Sequence, residues 1–187
     1  GGDGAYYYVS HDETRELNMD IYRNAQLLAI AGREKYHEDN PHFAITPYGR
    51  ELFFDSGNRP QAKGKSHIWV TRETGGRFAE PVMLPPVNVK DSTEVQPHLT
   101  ADGQLYFTSA RDGTIAIYAS KRTGADSWAE PRKVLWTTRK SGARAWGLGE
   151  PTLTADGQWL YFVVVFDNGR QEFDADIARV RRTDAAR

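Results

Sequence analysis

Two histidines occupy the same place in a recurring pattern. His42 and His98 each follow a proline, in Asn40-Pro41-His42 and Gln96-Pro97-His98, and Thr152 follows Pro151 in a third copy. Acids crowd the same places: Glu38 and Asp39 before the first proline, Glu94 before the second, Glu150 directly before the third. Two imidazoles from neighbouring repeats, with such carboxylates beside them, have the donor types of a divalent-metal site, so His42 and His98 are the candidate metal ligands. The plainer alternative is that each ring hydrogen-bonds the backbone of its neighbour, because these residues show no fixed ligand spacing. Asp39, Glu94 and Glu150 also offer chemistry if they converge. A pair of carboxyl groups can flank a glycosidic bond, one as acid and the other as base or nucleophile. Acids at strand entries equally suit a solvated loop.

Other candidates lie in loops. Arg111 and Asp112 sit in the reversal Arg111-Asp112-Gly113. The stretch Lys133 to Gly149, KVLWTTRKSGARAWGLG, is the least repeat-like and holds Arg139, Lys140, Arg144 and Trp146. A cation beside an aromatic suits an acidic or sugar ligand, or a protein partner. Trp69, Trp128 and Trp159 align with apolar residues of other copies and are expected in the core. There is no G-x-S-x-G elbow, no H-E-x-x-H, no P-loop and no C-x-x-C.

Composition bounds the rest. The 187 residues are enough for one core, with 39% hydrophobic and 12% aromatic residues. A formal net charge of -1 argues against a nucleic-acid or anionic-membrane surface. The absence of cysteine excludes disulfides and thiolate chemistry, and fits an exported protein or a cytosolic one. No run approaches the roughly 18 apolar residues of a membrane span. No signal peptide is read in these residues, and Gly1-Gly2 fits a processed or engineered start, which is compatible with a leader or with none.

The elements that must position these residues are read from repetition. Glu94 to Tyr118 reads as strand, Asp102-Gly103 turn, strand, Arg111-Asp112-Gly113 turn, strand. Asp-Gly between apolar runs is a strong hairpin signal. Pro41, Pro97 and Pro151 stand 56 and 54 residues apart, LTADGQ occurs at both Leu99–Gln104 and Leu153–Gln158, and Phe78-Ala79-Glu80-Pro81 matches Trp128-Ala129-Glu130-Pro131. The segment from Leu17 to Ile30 has a helix-like look, but the repeat places Asp20-Ile21-Tyr22 with Ile68-Trp69 and Ile117-Tyr118, which makes it strand. Units of this period with four strands each predict an all-β fold, a β-propeller of four-stranded antiparallel blades. The blade-like repeats span about residues 5–31, 40–85, 96–137 and 150–182 of one propeller domain over 1–187. The first copy lacks its inner strand and the last its outer one. That leaves three readings: a four-bladed ring with incomplete end blades, a piece of a larger propeller, or an assembly of two chains. Open blade edges favour self-association.

P-x-L-T-A-D-G-Q-x-L-Y-F, followed by D-G, D-I-Y and W-x-E-P, resembles the WD-like (TolB-type) propeller repeats of bacterial exported and envelope proteins. The likeness covers Ala5 to Arg182. It departs where His67 and Ala116 replace the Asp of D-I-Y, and where Tyr48-Gly49 replaces Asp-Gly. It implies a periplasmic or otherwise exported binding scaffold that recognises a protein or glycan of the envelope. Loop-face residues His42, Glu94, His98, Arg111, Asp112 and Glu150 would form its surface, together with Arg144 and Trp146. The alternative is a carbohydrate-active or metal-dependent propeller enzyme, or the propeller part of one, because propellers host many activities.

Overall fold

The computed structural model describes residues 2–11, 19–137, 145–167 and 173–182. Among them every regular element is a strand except one 3₁₀ turn, Pro60–Ala62. The first sheet holds β1 (Tyr7–His11), β2 (Met19–Arg23) and β3 (Gln26–Leu27). The second holds β4 (Asp39–Thr46), β5 (Gly49–Ser56), β6 (His67–Thr74), β7 (Arg77–Phe78) and β8 (Val82–Met83). The third is β9 (Glu94–Leu99), β10 (Gln104–Ser109), β11 (Ala116–Lys121) and β12 (Arg132–Leu135). The last is β13 (Ala145–Leu153), β14 (Trp159–Asp167) and β15 (Phe173–Arg181). All pair antiparallel, and the inner strands β4, β9 and β13 lie side by side. Among the described residues this is a β-propeller arrangement of four blades, with no inner strand in the first and no outer strand in the last.

The repeated motifs have local causes. In LTADGQ, Gly103 and Gly157 take φ of +76° and +67°, which a residue with a Cβ adopts only at a cost. Thr100 closes the turn by accepting the Gln104 amide at 3.0 Å on its hydroxyl, as Thr154 accepts the Trp159 amide at 3.1 Å. The Phe/Trp-Ala-Glu-Pro motif divides the outer strand. Thr71 and Ser120 hydroxyls each donate to the motif's alanine carbonyl at 2.6 Å, and the alanine amides return to Arg72 and Lys121 carbonyls. Pro81 then has no N–H for the ladder. The outer edge of this blade is therefore two short strands, β7 and β8, both paired with β6.

Strand alternation assigns each residue to one of three inter-blade layers. Leu52, Phe54 and Trp69 pack towards the first blade, while Phe53, Ile68 and Val70 pack towards the third. Leu105, Phe107 and Tyr118 complete that second layer; Tyr106, Ile117 and Ala119 face the fourth blade with Leu148, Leu160 and Phe162. Trp69 and Trp128 are core as expected, whereas Trp159 is half-buried beneath the Arg179 guanidinium. Ile21, Ile68 and Ile117 occupy one repeat position and are at most 1% exposed. Ile177, at the same position of the last blade, is 80% exposed.

Buried ion pairs lock the blades at the turn-side face. Glu51, fully buried on β5, accepts Arg72 Nε at 2.9 Å from its own blade. It also accepts Arg122 Nη1 at 2.5 Å and Nη2 at 2.8 Å from the next blade. At the next interface Arg182 reaches the half-exposed Asp102 at 2.8 Å, so the Asp of one Asp-Gly turn is also an inter-blade partner. Burial alone would raise the Glu51 carboxyl, but hydrogen bonds from Arg122 and Thr46 outweigh it and hold the group below the ordinary carboxylate range. The clamp's stabilisation is therefore complete above the unfolded carboxylate pKa and is lost as pH falls through the lower folded value. Glu51→Ala leaves Arg122 without its partner and should cost about 3 kcal/mol. The urea midpoint at neutral pH reads this directly; an unchanged midpoint would mean the clamp contributes nothing.

Candidate functional site

Each inner strand carries the same distortion at the residue before its proline. Asn40, Gln96 and Glu150 take φ of +49°, +59° and +53°, a left-handed conformation that costs non-glycine residues on the order of 1–3 kcal/mol. The ladder slips at each place: between Asp39 and His42, opposite Tyr106 and Thr108, and between Gly149 and Thr152. Such bulges re-aim backbone groups. All three re-aimed amides donate to side-chain oxygens: Asn40 to Asp39 Oδ1 at 2.8 Å, Gln96 to Asp55 Oδ1 at 2.9 Å, Glu150 to Gln96 Oε1 at 2.9 Å. The last two cross from one blade to the next.

The focus of this chain of contacts is Asp55, at the end of β5 and paired in register with Asp39 of β4. Asp55 is buried and accepts three hydrogen bonds. Asn40 Nδ2 donates to Oδ1 at 2.8 Å, the Gln96 amide shares that oxygen, and the Ser66 hydroxyl donates to Oδ2 at 3.3 Å. Burial nevertheless pushes its carboxyl up to about 6, with the Asp39 charge adding to the rise. A buried carboxyl beside a half-buried one, with the exposed Glu150 tied in through Gln96, can hold and release a proton in mildly acidic water.

His42 and His98 do come together, with ring centroids 4.5 Å apart and planes tilted by 53°. Each engages the next blade's backbone. His42 Nε2 donates to the Leu99 carbonyl at 3.0 Å, and His98 Nε2 accepts the Leu153 amide at 3.2 Å. Burial pushes His42 down to about 4 and His98 to about 3, with His42 adding to the shift of His98. Among the described residues, no group of three or more His, Cys, Asp or Glu side chains is placed to hold a metal ion.

Glu94, Arg111 and Asp112 form a separate network. Glu94 is fully buried; its Oε2 lies 3.1 Å from His67 Nδ1 and 3.2 Å from the Val89 amide, and its Oε1 accepts the Ser109 hydroxyl at 2.9 Å. Arg111 Nη2 is 3.6 Å from Glu94, and the guanidinium stacks 4.8 Å from the Tyr118 ring; the Tyr118 hydroxyl donates to Asp112. Glu94 therefore does not join Asp39 and Glu150, because its carboxylate is enclosed between the second and third blades. Trp146 belongs to β13, and Arg144 lies outside the described residues. Asp55 and Gln96 are the residues that motif reading missed. The available signal was an acid directly after the apolar run Leu52-Phe53-Phe54, where the register puts Thr108 in the third blade and Val163 in the fourth.

No protein-family model matches the chain, and no curated protein matches it in sequence. The likeness to TolB-type repeats thus rests on the repeated residues alone. Among solved structures, an α-L-arabinofuranosidase from Lactobacillus brevis superposes with a TM-score of 0.62 at 11% identity, over 98% of this chain and 71% of that one. An endo-arabinase from Bacteroides thetaiotaomicron gives 0.59 at 14%, over 97% and 73%. A further glycoside hydrolase gives 0.59 at 10%, over 92% of this chain and 61% of its own length. At such identities the likeness is one of fold.

Asp55 has a readable stability signature. Its folded value lies above the unfolded one, so its charge destabilises the fold as pH rises from about 4 to about 6 and beyond. Asp55→Asn keeps the acceptor for Asn40 and Gln96 and can donate to Ser66. It should be more stable than the parent by on the order of 2–3 kcal/mol at pH 8 and equal to it near pH 4. Thermal unfolding across that range checks this. A variant less stable at pH 8 would show that the ionised carboxylate is well accommodated.

Proposed function

We propose that the chain is the propeller of a carbohydrate-active protein, its four repeats acting as one domain, with a glycan seated on the loop-side ends of the inner strands. The observation that carries this is the Asp39–Asp55 pair, two carboxyl groups in register with the buried one pushed up to about 6. Glycoside hydrolysis needs an acid and a base or nucleophile on either side of the bond. Asp39 and Glu150 are the carboxyls open enough to meet a ligand, and Asp55 lies beneath Asp39 as the proton-holding neighbour. The likeness of fold to an arabinofuranosidase and an endo-arabinase makes arabinofuranosides and arabinan the first substrates to try. Export to the periplasm or beyond belongs to the same proposal, supported by the repeat resemblance.

A second reading, non-catalytic recognition of a glycan or protein by the same face, is favoured by Asp55 having both oxygens in internal hydrogen bonds. Turnover separates the two. On aryl arabinofuranosides and arabino-oligosaccharides, Asp39→Asn and Glu150→Gln should each lose at least about 100-fold in kcat/KM without losing the fold. Asp55→Asn should flatten the pH dependence near 6. A parent chain that binds these oligosaccharides but never cleaves them would end the enzymatic reading and leave the binding one.

A further inference from the structure

The structure assigns Gln96 as the positioning residue that couples Asp55 of the second blade to Glu150 of the fourth. This deepens the proposed carboxyl site and rests on that reading for its functional meaning. Gln96 is the one residue of the repeated left-handed trio whose contacts reach both neighbouring blades among the described residues. Its amide holds Asp55 Oδ1 at 2.9 Å, and its Oε1 receives the Glu150 amide at 2.9 Å. The Thr108 hydroxyl donates to the same Oε1 at 2.7 Å and anchors it.

Space around the carboxamide is matched to this task. A Cβ placed on Gly149 would stand 3.0 Å from Gln96 Oε1 and 3.6 Å from Thr108 Oγ1. Gly149 has no left-handed φ, so this glycine serves close approach and not backbone freedom. Asn40 shows what a shorter side chain does at the same repeat position: it reaches only Asp55, within its own blade. The third blade, standing between the two carboxyl-bearing blades, is the place where the longer amide is needed.

Isotope-edited carboxyl NMR on the intact chain tests the coupling without any substrate. Gln96→Glu keeps the shape and both acceptor contacts but adds a charge, so the Asp55 titration should move upward by roughly one unit. Asp39 is the charged neighbour already acting on Asp55, and Glu150 is tied to Gln96 through its backbone amide, so both are followed in the same spectra. Gln96→Asn tolerates positive φ and loses the reach to Glu150. It should leave the urea midpoint close to the parent's, shift the Glu150 amide resonance and weaken arabino-oligosaccharide binding about tenfold. Gly149→Ala should shift the same resonance. An Asp55 titration unmoved by Gln96→Glu, with the Glu150 amide unmoved by Gln96→Asn, overturns the assignment. If the spectra move as expected and no oligosaccharide binds, Gln96 still couples the two carboxyl residues and the glycan reading alone falls.

Discussion

The inner strands of this propeller depend on one backbone constraint, a left-handed residue placed directly before a proline. That combination is unfavourable twice over, since the residue is not glycine and the following ring restricts it. It persists because a side-chain oxygen takes each released amide: Asp39, Asp55 and Gln96 serve Asn40, Gln96 and Glu150. The bulge, the acids and the amide are therefore one arrangement. Removing an acceptor would leave a re-aimed N–H without a partner. Relaxing the bulge would return Asp55 to a carboxyl that no neighbouring blade holds.

Buried carboxyl groups here are shifted in both directions: burial raises Glu38, although it is paired with Arg59 at 2.7 Å, to about 7, whereas others are lowered by their donors. Glu51 and Glu94 are fully buried but well supplied with donors, and both are held below the ordinary carboxylate range although burial pushes the other way. They join blades. Asp55 has three donors, yet burial and Asp39 leave it raised. A group that destabilises the fold at neutral pH while sitting at the end of a well-packed strand is where a functional role is the economical explanation.

Much of the fold is legible in the sequence because its signals are local. LTADGQ specifies its turn through a threonine hydroxyl and a positive-φ glycine. The Phe/Trp-Ala-Glu-Pro motif specifies the outer edge through an alanine amide and a proline without an N–H. The alignment of Asp20-Ile21 with His67-Ile68 correctly overrides the helix-like look of Leu17 to Ile30. The site is less legible. Asp39 and Glu150 are recognisable as acids beside prolines, but Glu94 looks the same in sequence and is drawn into the inter-blade layer by His67 and Ser109. Asp55 and Gln96 gain their meaning from contacts 41 and 54 residues away, to Gln96 and Glu150 respectively. No spacing rule in one repeat conveys that.

The most direct measurement is chemical-shift mapping of the intact chain titrated with arabino-oligosaccharides at pH 5.5, just below the raised Asp55 value. The perturbed resonances are expected to cluster at Asp39, Asn40, Asp55, Gln96 and Glu150, with the blade faces carrying Ile177 and Tyr8 unchanged. Perturbations confined to those end faces, or to the Arg111–Asp112–Tyr118 network, would contradict it and move the site away from the inner strands.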